Sequence, residues 1–191
     1  MIGVVNMYEH EKKIHYLLEA LSTLGYKPHM IDGFHMSKTD VYTYISTSPI
    51  DIWIFSGADH TVIEKESPQI SLKLLQMKDK RFMFICYSME SILHQMGYPI
   101  KKRAINKKEY FNLTVSSQVK SELFKDISFP MKCKRNHRWY FSSKDIMKPV
   151  ELLASYNGDA MLATYKNAVL VQFHPEKSAD GKKLLWNFLH I

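Results

Sequence analysis

Short apolar runs alternate with stretches of helical spacing in the first half of the chain. The runs predict strands over residues 2–7, 26–31, 50–55 and 81–86. The helical spacing predicts helices over residues 9–24, 70–77 and 87–96. Gly25 and Gly97 follow two of these helices, as is usual at helix ends. Strands that alternate with helices favour a mostly parallel sheet with helices on both faces.

The pattern changes after Tyr98, where apolar runs follow one another with little helix between them. The predicted strands of this half cover residues 110–116, 129–134, 150–156, 160–165 and 168–173, and a final amphipathic helix covers 182–189. They suggest a small antiparallel or mixed extension. We therefore predict a single three-layer α/β domain over residues 1–191, with a flavodoxin-like central sheet.

Composition and charge indicate where this domain is expected in the cell and which kinds of partner are unlikely. No apolar run approaches the roughly 18 residues of a membrane span. The N-terminus lacks a basic region followed by an apolar stretch, so a cytoplasmic location is expected. The net charge is +7, in several Lys and Arg clusters. We interpret these as a solvated basic face, since no helix-turn-helix or zinc-finger spacing supports nucleic-acid binding.

Cys86 lies where a predicted buried strand becomes a predicted helix. A helix N-terminus favours thiolate through its dipole and free amides, and a sharp turn there exposes the side chain as in a nucleophile elbow. In open α/β sheets, sites form at the carboxyl ends of strands. The alternative is a buried, inert cysteine.

His174 and Glu176 follow the last predicted strand. A histidine can accept a thiol proton, and a carboxylate can fix its tautomer. A third segment, Gly57 and Ala58, forms a turn of small residues after the third strand. Its amides, with that of Tyr87, could form an oxyanion hole. Taken singly, the histidine could be structural and the turn could simply end a strand.

Together, these segments resemble the motifs of class I glutamine amidotransferases. Residues 85–90 (ICYSME) are similar to the family's G-I-C-x-G-x-Q motif, and residues 172–176 (QFHPE) match its Q-F-H-P-E motif. Residues 56–58 (SGA) resemble its S-G-G loop. Asn136 and His137 fall where the family has an S-H-G segment near the site.

The resemblance implies glutamine hydrolysis without a metal or cofactor. Cys86 would attack the side-chain amide, His174 would shuttle the proton, and Glu176 would orient His174. Glu90, Asn136 and His137 would bind substrate. In such enzymes the ammonia passes to a synthase partner. The size of this chain resembles that of stand-alone amidotransferase subunits, such as the one of two-chain GMP synthases, so we expect the synthase to be a separate subunit.

Five positions depart from the family motifs: Phe84, Ser88, Ala58 and Arg138 each replace a glycine, and Glu90 replaces a glutamine. Glu90 resembles the C-L-G-F-E motif of γ-glutamyl hydrolases, so a γ-glutamyl peptide hydrolase is one alternative. A non-catalytic binding or regulatory module is another, with its pocket blocked by Phe84.

Overall fold

The computed structural model describes residues 1–116 and 118–191. The strands of the main sheet within those residues are β1 (Ile2–Asn6), β2 (His29–Asp32), β3 (Ile52–Phe55), β4 (Arg81–Ile85), β7 (Glu151–Tyr156), β8 (Asp159–Tyr165) and β9 (Ala168–Val171). Their order is β2-β1-β3-β4-β9-β8-β7. The first five are parallel, and β8 and β7 are antiparallel. The mostly parallel sheet with an antiparallel extension is confirmed.

Helices cover both faces of this sheet, as predicted. They are α1 (His15–Thr23), α2 (Lys38–Thr47), α3 (Tyr87–Gln95) and α4 (Ala179–His190). The apolar faces of α1 and α4 pack in one core cluster, and those of α2 and α3 pack in the other. Neighbouring strand residues divide between the two clusters because they point to opposite faces. Among the described residues, none of these helices is long and apolar enough to span a bilayer.

One helix prediction was wrong and one helix was missed. The segment predicted as a helix over residues 70–77 is a 3₁₀ helix, Leu72–Gln76, capped by the Ser71 hydroxyl. The polar stretch between β2 and β3, for which no element was predicted, contains α2. It buries only Val41 and Ile45. Two apolar positions are too few to produce a periodic signal, and the Ser37 cap provides the remaining start signal.

A separate antiparallel hairpin consists of β5 (Ile100–Leu113) and β6 (Met131–Phe141). The predicted strands over 110–116 and 129–134 lie in the right places but are much too short. Most side chains of β5 are exposed, and many are charged. The apolar alternation on which the prediction relied is therefore missing over most of the hairpin.

A buried arginine fixes this hairpin to the sheet. Arg135 on β6 is 2% exposed and pairs with Asp159 of β8 at 3.3 Å. It also pairs with Glu109 across the hairpin. The backbone amide of His174 donates to the Lys134 carbonyl at 2.8 Å. Through these contacts the hairpin is held beside the segment that follows β9.

Candidate active site

Cys86 is the N-cap of α3, directly after β4, and its backbone has φ 51° and ψ −108°. This is an uncommon conformation for a non-glycine residue, and such strain is concentrated at functional sites. The Cys86 amide donates to the Val171 carbonyl of β9 at 2.6 Å. This hydrogen bond ties the turn to β9, and a sharp strand-to-helix turn is the geometry of a nucleophile elbow. The side chain lines a cavity of about 450 Å³.

The Cys86 thiol is a neutral group in this arrangement. It donates to the Asn136 carbonyl at 3.9 Å, and the Gln172 amide group donates to the sulfur, also at 3.9 Å. Burial raises the pKa of the thiol well above its usual range, and the nearby Glu90 carboxylate raises it further. A hydrogen bond from the Tyr87 backbone amide lowers the pKa of the thiol, but by less than burial raises it. Proton removal therefore requires a base.

His174 and Glu176 form a buried pair at the end of β9. The His174 Nδ1 lies 2.9 Å from Glu176 Oε1, and both side chains are almost fully buried. Burial alone would raise the pKa of the Glu176 carboxyl, but the charge and hydrogen bond of His174 bring it below its usual value. A carboxylate that accepts from Nδ1 keeps the proton there and leaves Nε2 as the acceptor. The pair lines a second cavity of about 830 Å³.

The loop after β3 approaches His174, and its Ala58 lines both cavities. A Cβ on Gly57 would be 2.8 Å from the Tyr8 hydroxyl and 3.3 Å from His174 Cε1, so the close approach requires glycine. The Ser56 hydroxyl accepts from the Met7 amide and donates to the Gly57 carbonyl, both at 2.9 Å. The Gly57 and Ala58 amides donate to no acceptor among the described residues, so both are available to a bound substrate.

The two cavities meet at the loop and the hairpin. Cys86 and Tyr87 line the smaller one, and His174 and Glu176 line the larger one. Three residues line both cavities: Ala58, Asp59 and Asn136. Cys86, the His174–Glu176 pair and the Gly57 loop therefore lie together at the carboxyl ends of β3, β4 and β9. This group of side chains has the parts that acyl transfer through a thioester needs.

A model of the family described as glutamine amidotransferase class-I matches residues 8–191. The chain belongs to the class I glutamine amidotransferase family. It is 31% identical to a GMP synthase [glutamine-hydrolyzing] of Clostridium tetani over 141 residues, which are 71% of this chain and 27% of that protein. A protein of the same name from Finegoldia magna is 29% identical over 151 residues, which are 74% and 28% of the two chains. The chain thus spans little more than a quarter of these relatives.

Solved structures show the same fold. A protein from Thermoplasma acidophilum, described as one of the subunits of a GMP synthase, has a TM-score of 0.74 at 16% identity, covering 99% of this chain and 92% of its own. A glutamine amidotransferase from Thermotoga maritima has a TM-score of 0.64 at 14% identity, covering 99% and 83%. The three-layer architecture of this amidotransferase domain is therefore that of its structural neighbours.

Two departures from the family motifs have a clear structural accommodation. The Phe84 ring packs against Phe55 and Phe82, with centroids 4.9 and 5.8 Å apart, and lines neither cavity. The blocked pocket expected of a non-catalytic module is thus not formed by Phe84. Ser88 is fully buried and helical, and its hydroxyl donates to the Ser56 carbonyl at 2.6 Å. It ties α3 to the small-residue loop.

The three predicted substrate-binding residues all line the smaller cavity. Glu90 accepts from the Gln172 side chain at 2.9 Å, and burial raises its pKa to about 7. The Asn136 side chain is engaged by Asn106 at 3.0 Å, so its main-chain carbonyl is the group nearest the thiol. His137 donates from Nδ1 to a carbonyl at 2.8 Å and has a buried Nε2 without a partner. Their role in binding remains a prediction.

Tyr8 and Gln172 are site residues that sequence reasoning did not identify. Tyr8 is 8% exposed, and its hydroxyl lies beside Gly57. Burial, then the charges of Glu176 and Cys86, raise its pKa well above the usual range, so it remains a donor. Gln172 connects Glu90 with the thiol. A tyrosine after a strand and a glutamine inside a matched motif carry no separate chemical signal.

Proposed function

We propose that this domain hydrolyses the side-chain amide of glutamine through a thioester on Cys86. The observation that carries the proposal is that the strained Cys86 turn, the buried His174–Glu176 pair and the Gly57 loop lie together at the ends of three neighbouring strands. Membership of the class I glutamine amidotransferase family supports the same chemistry. The reaction would release ammonia and glutamate.

In the first step, the Cys86 thiol turns from the Asn136 carbonyl towards Nε2 of His174, which accepts its proton. The thiolate attacks the γ-carbonyl carbon, and the negative charge on oxygen is stabilised by the Gly57, Ala58 and Tyr87 amides. His174 then donates its proton to the leaving nitrogen, and the carbon–nitrogen bond breaks. Water, deprotonated by His174, hydrolyses the thioester and restores the thiol.

We further propose that a synthase subunit receives the ammonia. The relatives from Clostridium tetani and Finegoldia magna carry the name GMP synthase, and this chain matches little more than a quarter of their length. The remaining part of such a relative is long enough to contain the ammonia-consuming step. A GMP synthase-type subunit is therefore the first partner to test. The two tests are co-purification and product formation with glutamine as the only source of ammonia.

The proposal is tested with a chloroketone analogue of glutamine, which alkylates an active-site thiol. We expect stoichiometric labelling of Cys86, protection by glutamine, and no labelling of the Cys86→Ala variant. Cys133 is an internal control, because it is fully buried and its pKa is raised by burial. Labelling at Cys133 alone, or none in folded protein, would contradict the proposal.

The non-catalytic module stays open as a second candidate, favoured by the hydrogen bond of the thiol to a carbonyl instead of to His174. It predicts that glutamine binds, as measured by calorimetry, without turnover or labelling. Glutamine turnover that Cys86→Ala abolishes would exclude it.

A further inference from the structure

The cavity that contains His174 is far larger than the release of ammonia requires. Its volume is about 830 Å³, and it is bounded by α1, the β5–β6 hairpin and the start of α4. Ammonia is about the size of water, which occupies about 30 Å³ in the liquid. The cavity is thus spacious enough for a leaving group with a substantial substituent.

The same cavity carries an excess of positive charge. Five lysines and three carboxylates line it: Lys13, Lys108, Lys134, Lys177, Lys182, Glu19, Asp59 and Glu176. Each of the three carboxylates has a basic neighbour: Lys13 pairs with Asp59 at 2.6 Å, Glu176 pairs with His174, and Glu19 lies 3.9 Å from His15. Within the described part of the chain, Lys108 and Lys182 have no acidic partner within 4.0 Å.

A tyrosine hydroxyl in the same cavity is also free of hydrogen bonds within the described part of the chain. Tyr8 is only 8% exposed, lines this cavity and lies next to Gly57 and His174. Its hydroxyl makes no hydrogen bond to another described residue. Because the hydroxyl is open to the cavity, it is available to donate to a ligand bound there.

The reaction geometry relates this cavity to the leaving group. Cys86 lies in the smaller cavity, so the γ-glutamyl group that it attacks lies there. The departing nitrogen is on the side of His174, which gives it a proton. Any substituent on that nitrogen therefore extends into the larger cavity, towards Lys108 and Lys182.

Resting on the thioester chemistry proposed above, we infer that the larger cavity binds the amine half of a γ-glutamyl amide whose amine carries carboxylates, such as an acidic amino acid. The γ-carbonyl bonds to the Cys86 sulfur, and the carbon–nitrogen bond breaks. The nitrogen takes the proton from His174, and water then releases glutamate from the thioester.

The experiment compares three substrates on the purified protein. γ-Glutamyl-glutamate carries two carboxylates on the leaving amine, and γ-glutamyl-glutamine amide is its nearly isosteric neutral match. Glutamine is the third. We expect kcat/KM for the acidic dipeptide to exceed that for the neutral match by about tenfold, since partly exposed ion pairs contribute modestly. The preference should fall with rising salt, because exposed charges are screened.

Charge-reversal variants then test whether Lys108 and Lys182 cause the preference for the acidic dipeptide. Lys108→Glu and Lys182→Glu should abolish the preference for the acidic dipeptide and leave glutamine turnover within about twofold. The matched controls are their chain neighbours, Lys107→Glu and Lys183→Glu, which carry the same change on residues outside both cavities. The controls should retain the preference.

The outcomes separate this inference from the proposed function. Glutamine turnover without a preference for the acidic dipeptide, or a preference lost equally in the control variants, overturns the inference alone. Absence of turnover of all three substrates, together with absence of chloroketone labelling, overturns the thioester chemistry and the inference with it.

Discussion

The Ser88 hydroxyl donates a 2.6 Å hydrogen bond to the main-chain carbonyl of Ser56. This bond joins the first turn of α3 to the loop that follows β3, and both residues are buried. A glycine stands at the position of Ser88 in the family motif, and it would lack this connection. The substitution therefore holds the nucleophile helix and the small-residue loop in a fixed relative position.

We expect Ser88→Ala to lower the free energy of unfolding by about 1–3 kcal/mol, because it leaves the buried Ser56 carbonyl without its donor. Urea denaturation measures this. Ser91→Ala is the matched control on the same helix. The Gln95 amide that donates to the Ser91 hydroxyl also donates to two carbonyls, so that loss should be smaller. Equal losses in the two variants would contradict the structural role of Ser88.

The sequence predicted the fold well where apolar patterning is strong. The run before Cys86 predicted β4, and the spacing after it predicted α3, because both elements are buried. The hairpin of β5 and β6 was largely missed. The pairing of its two strands depends on backbone hydrogen bonds and on the Arg135–Glu109 ion pair, and neither produces an apolar periodicity in the sequence.

The sequence predicted the chemically distinctive residues of the candidate site but not their surroundings. Cys86, His174 and Glu176 were predicted because their residue types and motif order carry a chemical signal. The Gln172–Glu90 hydrogen bond joins residues 82 positions apart, so it depends on the packing of β9 against α3. Tyr8 acquires its role only from its distance to Gly57.

The lowered pKa of Glu176 predicts a specific loss of stability in acid. A carboxyl whose pKa is lower in the folded state adds stability above its unfolded value, 4.5, and this is lost as pH falls through the folded value. Glu176→Gln removes this pH-dependent contribution to the free energy of unfolding. Its stability deficit relative to wild type, measured by urea denaturation, should be largest near pH 7 and should shrink below about pH 4. The exposed Glu151→Gln should show no such trend; a deficit independent of pH would refute the assignment.

The raised pKa of Glu90 predicts the opposite trend. A carboxyl with a folded pKa of about 7 stabilises the fold below its unfolded pKa, and this contribution is lost as pH rises through about 7. Glu90→Gln has no ionisable group there, so it should become more stable relative to wild type between pH 5 and pH 8, by up to about 3 kcal/mol. Chemical denaturation at both pH values measures the change. A constant difference would show that Glu90 stays ionised throughout.

The same substitution should make the nucleophile easier to ionise. The Glu90 carboxylate is the second cause, after burial, of the raised pKa of Cys86. In Glu90→Gln, iodoacetamide should alkylate Cys86 at its half-maximal rate at a lower pH than in wild type, because the thiolate is the reactive form. If the experiment is done in the Cys133→Ala variant, Cys86 is the only cysteine that iodoacetamide can alkylate. An unchanged midpoint would mean that burial alone sets the pKa of the thiol.

The position of the Tyr8 hydroxyl beside Gly57 predicts a contribution to the chemical step. Its raised pKa keeps it a hydrogen-bond donor, and it lies beside Gly57, whose amide we propose as an oxyanion donor. Tyr8→Phe should lower kcat for glutamine by about 100-fold with little change in KM, as for the loss of an oxyanion-hole donor. The matched control is Tyr16→Phe, a 54% exposed tyrosine of the same cavity, which should leave kcat almost unchanged. A rise in KM at constant kcat would instead make Tyr8 a ground-state binding residue, and equal effects in the two variants would remove any special role for its hydroxyl.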